Sequence, residues 1–336
     1  MRKKQIIECI PNFSEGKNAN TLTAIATAIK HISGVKLLHI DRGEAANRTV
    51  FTFAGEPQKV IEAAFQAIKV AGELIDMRTQ KGEHPRIGAT DVCPLVPIAN
   101  ITMEEVKEYA IQLGERIAGE LDIPIYLYEH SAKTPNRKNL ATIRSGEYEG
   151  LAKKMESPDW RPDFGQFFNA KTGATVLGAR DFLIAYNVNL DTTSVDIATQ
   201  IARTVRESGQ LIKKANGEKV RKHGQCKSLK AIGWYIEEYG KTQVSMNLTN
   251  FKITGIHQAY EACKIAAKKY GAKITGSELI GLIPLEAILA AGHYYAKQKG
   301  VTNLTEKEFI QLAVDELGLA ELKPFNFEER IIEYLL

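Results

Sequence analysis

One histidine stands where proton chemistry would be useful. The stretch KGEHPRIG, residues 81–88, sets His84 before a proline and between two glycines, in a chain with only seven histidines. An imidazole, with an ordinary pKa of about 6.5, both accepts and donates protons at neutral pH. Pro85 lacks an N–H and biases its predecessor towards extended backbone. His84 is therefore expected in a loop between a helix and a strand, its backbone firmly set. Gly82 and Gly88 would allow a ligand to approach closely. A loop histidine without a role is the plain alternative.

Other residues could work beside it. Asp41 ends the apolar run VKLLHID, ahead of a turn expected at Arg42–Gly43. It is either a turn-forming aspartate, the commoner case, or a strand-end carboxylate that orients an imidazole or a substrate nitrogen. Arg48 and Arg86 carry forked donors suited to carboxylates, against the alternative of solvated charges on a strand edge or loop. In CIPNFSEG, Asn12 and Phe13 could read a flat ring by hydrogen bond and stacking, or could simply belong to a strand-to-helix turn. His39, Asp41 and His84 are the one combination that could approach a metal. No HExxH and no Cys/His cluster with ligand spacing supports it, so no metal is expected. P-loop, GxGxxG and GxSxG motifs are also missing, which removes the usual support for nucleotide-dependent and serine-hydrolase chemistry.

The elements that must position these residues repeat in kind. IIECIPNF reads as a strand, followed by a helix on Leu22, Ile25, Ala26, Ile29 and Ile32. VKLLHID and RTVFTFAG are two more strands, and a helical stripe runs from Val60 to Ile75. ATDVCPLVPI is a strand, then a helix on Val106–Ile117 and the strand IPIYLYEH. The second half gives DFLIAYNVNL, a helix from about 193 to 207, LKAIGWYI, TQVSMNLTNF, a helix from about 257 to 269, and AKITGSEL. Two helices close the chain, near 285–298 and 306–316. The order β-α-β-β-α-β occurs twice, although the sequences of the halves do not repeat. This predicts an α+β fold, an α/β sandwich of two ferredoxin-like subdomains with a ligand groove between them. The boundary is set at Ala179, giving subdomains 1–179 and 180–336, with His84 in the first. The join before it, rich in Gly, Pro and aromatics, is long for a connection, and long loops are often functional.

Composition narrows the classes. The 336 residues are 44% hydrophobic and 25% charged, with a net charge of only +4. Neither nucleic acid nor membrane is demanded, while an anionic small molecule would be welcome. No run approaches a membrane span and no leader follows the basic start. Four scattered cysteines read as reduced, mostly buried thiols of a cytoplasmic protein. The one basic cluster, IKKANGEKVRKHGQCK at 212–227, is a solvated loop or a seat for a polyanionic tail.

The motifs together resemble the glutamate formimidoyltransferase family. CIPNFSEGKN, ANRTVFTFAGEP, LIDMR, GEHPRIGATDVCPLVP, IPIYLYEHSA, RSGEYEGL, PDWRPDFG, GATVLGARDFLIAYNVNL, AIGWYIEE, QVSMNLTNF, GSELIGLIPLEAIL and ERIIEYLL occur in that order from Cys9 to the C-terminus. The resemblance implies transfer of a formimino group from N-formimino-L-glutamate to N5 of tetrahydrofolate, in histidine breakdown and one-carbon metabolism. It implies two α/β subdomains with the folate, a co-substrate, in a channel between them. It gives His84 the catalytic position and Asp41 the assisting one, where RGEAA follows in place of the family's small proline-containing turn. It makes Gly165, Gln166, Phe167, Phe168, Asn169, Ala170, Lys171, Thr172, Gly173 and Ala174 the folate-contacting loop. Asn12, Phe13, Arg48 and Arg86 are the residues expected to bind substrate. A homodimer is expected. So is a separate cyclodeaminase, because the chain leaves no room for the domain that follows in mammalian relatives. The lysines of 212–227 would favour polyglutamylated folates. Formyl in place of formimino transfer, a non-catalytic folate-binding protein and a metal-dependent amidohydrolase remain as alternatives.

Overall fold

The computed structural model describes residues 4–44, 46–82, 84–214 and 217–336. The chain divides after Asp181 into two compact units, the second running Phe182–Leu335. The first unit contains β1 (Ile6–Cys9), β2 (Asn12–Phe13), α1 (Ala19–Lys30), β3 (Val35–Gly43), β4 (Arg48–Gly55), α2 (Pro57–Leu74), β5 (Thr90–Ala99), α3 (Met103–Leu121), β6 (Ile125–Leu127), α4 (Leu140–Arg144), α5 (Glu147–Met155) and β7 (Thr175–Ala179).

Strands β1 and β2 are two pieces of one strand, broken at Ile10–Pro11 and lying between β4 and β5. Pro11 cannot donate to a ladder, which accounts for the break. With β3 on β4, the four strands of the βαββαβ unit stand in the ferredoxin-like order β3, β4, β1/β2, β5. Helices form where caps and apolar stripes agree. Asn18 caps α1 by accepting from Asn20 and Thr21 N–H, and Thr102 with Glu105 makes a capping box for α3. Leu22, Ile25 and Ile29 of α1, and Val60, Phe65 and Ile68 of α2, pack onto Ile7, Cys9, Phe13, Phe51, Phe53 and Leu95 of the sheet. Phe13 and Phe51 meet edge to face at 5.4 Å.

The other sheet face is built by the segment expected to be a long loop. It contains two short helices, α4 and α5, and the strand β7. This strand inserts between β5 and β6, parallel to both. Ile143 and Leu151 of the two helices cover Val92, Tyr126, Tyr128 and Val176 on that half of the sheet. The join is thus an integral layer of the first unit.

The second unit contains β8 (Ile184–Leu190), α6 (Val195–Val205), β9 (Gln210–Lys213), β10 (Lys219–Lys222), β11 (Leu229–Ile236), β12 (Lys241–Leu248), α7 (Ile256–Lys269), β13 (Ile274–Ile280), α8 (Leu285–Lys299), α9 (Glu306–Leu317) and α10 (Ile332–Leu335). Its sheet runs β11-β12-β8-β13, the same ferredoxin-like order as in the first unit. The mixed α/β sandwich with two such units is the expected fold. The basic stretch is a separate antiparallel pair, β9 with β10, in place of a loop. Ala215 and Asn216 of that stretch lie outside the described residues. All four cysteines are free and buried. Among the described residues, no helix is long and apolar enough to cross a membrane.

Candidate active site

The sheet register gathers several of the expected residues. Asp41 pairs with Val50, Val50 with Asn12, and Asn12 with Val92. Cross-strand partners project to one face, so Asp41 and Asn12 share the face opposite α1–α3. Two strand spacings, on the order of 10 Å, separate them. Arg48 precedes Val50 by two residues and projects the same way. Asp41 is not at a strand end: β3 continues to Gly43, and Glu44, Ala46 and Asn47 are turn residues. Phe13 points to the other side, into the core, and is fully buried. The structure therefore separates Phe13 from Asn12, which the sequence placed together.

Beneath this row lies a charge cluster. Asp91 is fully buried at a register shift between β2 and β5. A bulge of this kind re-aims a side chain. The Asp91 carboxylate accepts from Arg48 Nη1 at 2.7 Å, from Arg144 Nε at 3.3 Å and Nη2, and from the Ile87 N–H at 2.9 Å. Arg48 Nε donates to Asn12 Oδ1 at 3.1 Å, and Asn12 Nδ2 donates to Ile10 O at 2.9 Å. The two guanidinium charges hold Asp91 below the usual carboxylate range against the opposing effect of burial. Neither Asp91 nor Arg144 was singled out from the sequence. An acid inside the apolar run ATDVCPLVPI was the available signal, since a buried charge needs partners.

His84 lies beside this cluster, half-buried, in the loop before β5. Its Nδ1 is 2.8 Å from Pro85 O, so Nδ1 carries the proton and Nε2 is left as the basic nitrogen. Burial, then the positive charge of Arg48, push its pKa down to about 4, with Arg144 adding and Asp91 opposing. A histidine with a depressed folded pKa binds its proton less readily folded than unfolded. The group therefore costs stability as pH falls from about 6.5 towards 4, and contributes no pH dependence above that range. An NMR titration of the His84 ring is expected to show a midpoint near 4 in the unliganded protein. A midpoint at 6.5 or higher would mean that the arginines do not reach it electrostatically. Glu83 lies outside the described residues.

Arg86 is placed differently from what was expected. It donates to Gln80 Oε1 and Gln80 O, to Glu147 Oε2, and to both carboxylate oxygens of Glu149, which occupies all five of its N–H donors. It is a buried rivet between the His84 segment and α5, with no donor left for a ligand carboxylate. Tyr148 extends the same tie, donating from N to Arg86 O at 2.9 Å and from its hydroxyl to Ala170 O at 2.5 Å.

The loop 165–174 is mostly committed to the protein itself. Asn169 Oδ1 accepts from Lys171 and Thr172 N–H, and Lys171 Nζ donates to Glu73 O at 2.8 Å. Thr172 O accepts from Ala89 N at 2.7 Å, and Ala174 N donates to Ile87 O at 3.0 Å. Gly173 bridges to Gly88, and a Cβ on either would sit within about 2.2 Å of the other segment's backbone. Gly88 thus admits a neighbouring strand, not a ligand, and a Cβ on Gly82 would likewise meet Ala46 O. Phe168 is half-buried against Tyr148, at 5.9 Å. Phe167, 83% exposed, is the large side chain the loop presents outward, with Gln166 exposed beside it. The His84 loop and this loop, singled out on separate grounds, are thus bonded into one construction.

A half-buried neutral imidazole, backed by an arginine pair on the face of an α/β sandwich, suits proton transfer on an anionic small molecule. Comparison with known proteins then gives the family. Residues 6–180 match the N-terminal subdomain of the formiminotransferase domain, and residues 185–336 match the formiminotransferase domain. The chain belongs to the formiminotransferase family. It is 46% identical over 292 residues to a glutamate formimidoyltransferase of Streptococcus pyogenes, covering 87% of this chain and 93% of that one. A glutamate formimidoyltransferase of Thermoplasma acidophilum is 39% identical over 312 residues, 92% and 98% of the two chains. The formimidoyltransferase-cyclodeaminase of Rattus norvegicus is 45% identical over 99% of this chain, which spans 60% of that relative's length.

Proposed function

We propose that the protein transfers the formimino group of N-formimino-L-glutamate to N5 of tetrahydrofolate, releasing L-glutamate and 5-formiminotetrahydrofolate. The observation that carries this reading is the match to a glutamate formimidoyltransferase along 93% of that enzyme's length. The His84 geometry supplies the chemistry. N5 attacks the amidine carbon and forms the new C–N bond. His84 Nε2 takes the N5 proton and returns it to the glutamate nitrogen as the old C–N bond breaks. One group serves both steps because its tautomer is set by the Pro85 carbonyl. A substrate carboxylate near Arg48 offsets the positive charge that depresses the imidazole and lifts its pKa towards working pH. Asp41, on the same sheet face, assists by orienting the reacting nitrogen, and Asn12 holds Arg48 in place. Phe167 and Gln166 are the loop residues that meet the folate, the co-substrate; no step calls for a metal.

On this reading the protein works in the cytoplasm as a homodimer, and a cyclodeaminase activity closes its product. The β9–β10 pair presents Lys213, Lys219, Arg221 and Lys222 largely exposed, which suits a polyglutamylated folate tail. Replacing Lys213, Lys219 and Lys222 together by glutamine is expected to weaken pentaglutamyl-tetrahydrofolate binding about tenfold while leaving the monoglutamate unchanged. Equal affinities before and after would remove that role. The reaction itself is tested by following glutamate release with formiminoglutamate and with formylglutamate, each with and without tetrahydrofolate. Release from the formimino donor that requires folate supports the proposal. Release from the formyl donor alone would reassign the donor, and folate binding without any release would leave a binding protein.

A further inference from the structure

We infer that Arg144 joins Arg48 in seating one carboxylate of the amino-acid donor beside His84. The inference rests on the proposed reaction for the identity of its ligand, but its geometry is independent. Among the described residues, two guanidinium cations meet one carboxylate at Asp91, which leaves one unit of positive charge in excess there. The side chains are only 8% and 14% exposed for Arg48 and Arg144, and 0% for Asp91. An uncompensated buried charge is costly, so an anion is the fitting occupant. The donors point to the same conclusion. Arg48 engages Nε with Asn12 and Nη1 with Asp91; Arg144 engages Nε and Nη2 with Asp91. Arg48 Nη2 and Arg144 Nη1 have no partner among the described residues. Arg86, one turn of loop away, is the contrast: every donor it has is taken.

The ligand follows from what His84 must reach. Its imidazole has to meet the amidine carbon and the attacking N5. In the donor, the α-carboxylate sits on the carbon next to the amidine nitrogen. The carboxylates of the folate tail lie beyond the whole p-aminobenzoyl group. Cations close enough to perturb His84 therefore take the donor carboxylate. Asp91 acts here as a positioning residue. It holds both arginines and, through the Ile87 N–H, the segment that carries His84.

The test pairs a variant with a substrate change. Arg144→Gln and Arg144→Lys are compared with the parent protein on formiminoglutamate and on its α-carboxamide. Tetrahydrofolate affinity is read by fluorescence and L-glutamate binding by calorimetry. Arg144→Gln should raise KM for the acid donor about tenfold or more with little change in kcat, the signature of a lost binding contact. It should weaken L-glutamate binding in step, while KM for the amide donor and affinity for tetrahydrofolate stay put. Arg144→Lys keeps the ion pair to Asp91 and should restore part of the loss, since it retains charge without the fork. It also covers the case in which the glutamine variant does not fold. Equal losses on acid and amide donors, or a parallel loss of folate affinity, would overturn the inference. A parent protein that binds L-glutamate through Arg144 yet transfers nothing would sink the proposed reaction and keep the seat. A parent protein that does not bind L-glutamate at all would sink the seat.

Discussion

Replacing His84 by alanine is expected to lower the rate of folate-dependent glutamate release by on the order of 10²–10⁴, the usual contribution of a positioned acid/base. Tetrahydrofolate should still bind, because among the described residues the imidazole's hydrogen bond is to the adjacent Pro85 carbonyl and builds no other part of the site. Activity is read by coupled glutamate detection and binding by fluorescence titration. A loss of less than tenfold, with folate bound normally, would move the proton transfer to another group. Asp41 is the first to examine, since it shares the sheet face with Asn12 and Arg48. A loss of both turnover and binding would instead point to collapse of the segment around His84.

Asp91→Ala carries the largest stability effect. Removing the fully buried carboxylate leaves Arg48 and Arg144 as buried cations without their shared partner and frees the Ile87 N–H. Breaking a buried pair in this way costs about 3–5 kcal/mol, a large fraction of the roughly 5–15 kcal/mol that holds a typical domain together. Urea titration should show a lower midpoint at an unchanged slope, the product of the two falling by that amount. A shift below about 1 kcal/mol would mean that water or another acid satisfies the arginines. By contrast, Glu149→Gln removes charge from an exposed partner of Arg86 and should cost little, because screened surface pairs contribute little.

How much of this could be read from the chain follows from how each piece is stabilised. The two βαββαβ units were legible because their helices and strands are long and periodic. Helix α2, for example, is eighteen residues long and shows its apolar stripe from Val60 to Ala71. Strand β7 was not legible. TVLGA is five residues, buried on both faces in parallel pairing, so it shows no alternation and merges with the glycine-rich run before it. Helices α4 and α5 have five and nine residues and one buried residue each, Ile143 and Leu151, too few for a period. The β9–β10 pair is exposed and charged, which reads as loop.

The site divides along similar lines. His84 was visible because Pro85 and the flanking glycines constrain a short stretch of chain. Arg86 was misread because sequence shows a guanidinium but not what surrounds it, and its glutamates lie about sixty residues away in a helix that was not foreseen. Arg144 was hidden for the same reason. Asp91 was within reach, since an aspartate amid nine apolar or small neighbours cannot stay unpaired. Residues 165–174 belong to the join that its length and glycine content marked as a binding loop, and only the resemblance gave them the folate contacts. Their hydrogen bonds, however, run mostly inward to Glu73, Ile87 and Ala89, and they leave Gln166 and Phe167 facing out.

The most direct test of the central claim follows the amidine carbon itself. Donor carrying ¹³C at the formimino position is mixed with the protein and tetrahydrofolate, and the label is traced by NMR. Transfer at His84 requires the ¹³C resonance to move onto folate N5 as L-glutamate is released, at matched rates, and to become 5,10-methenyltetrahydrofolate on acidification. Label recovered as free formamide or formate, with the folate unlabelled, would show hydrolysis by water and contradict the account.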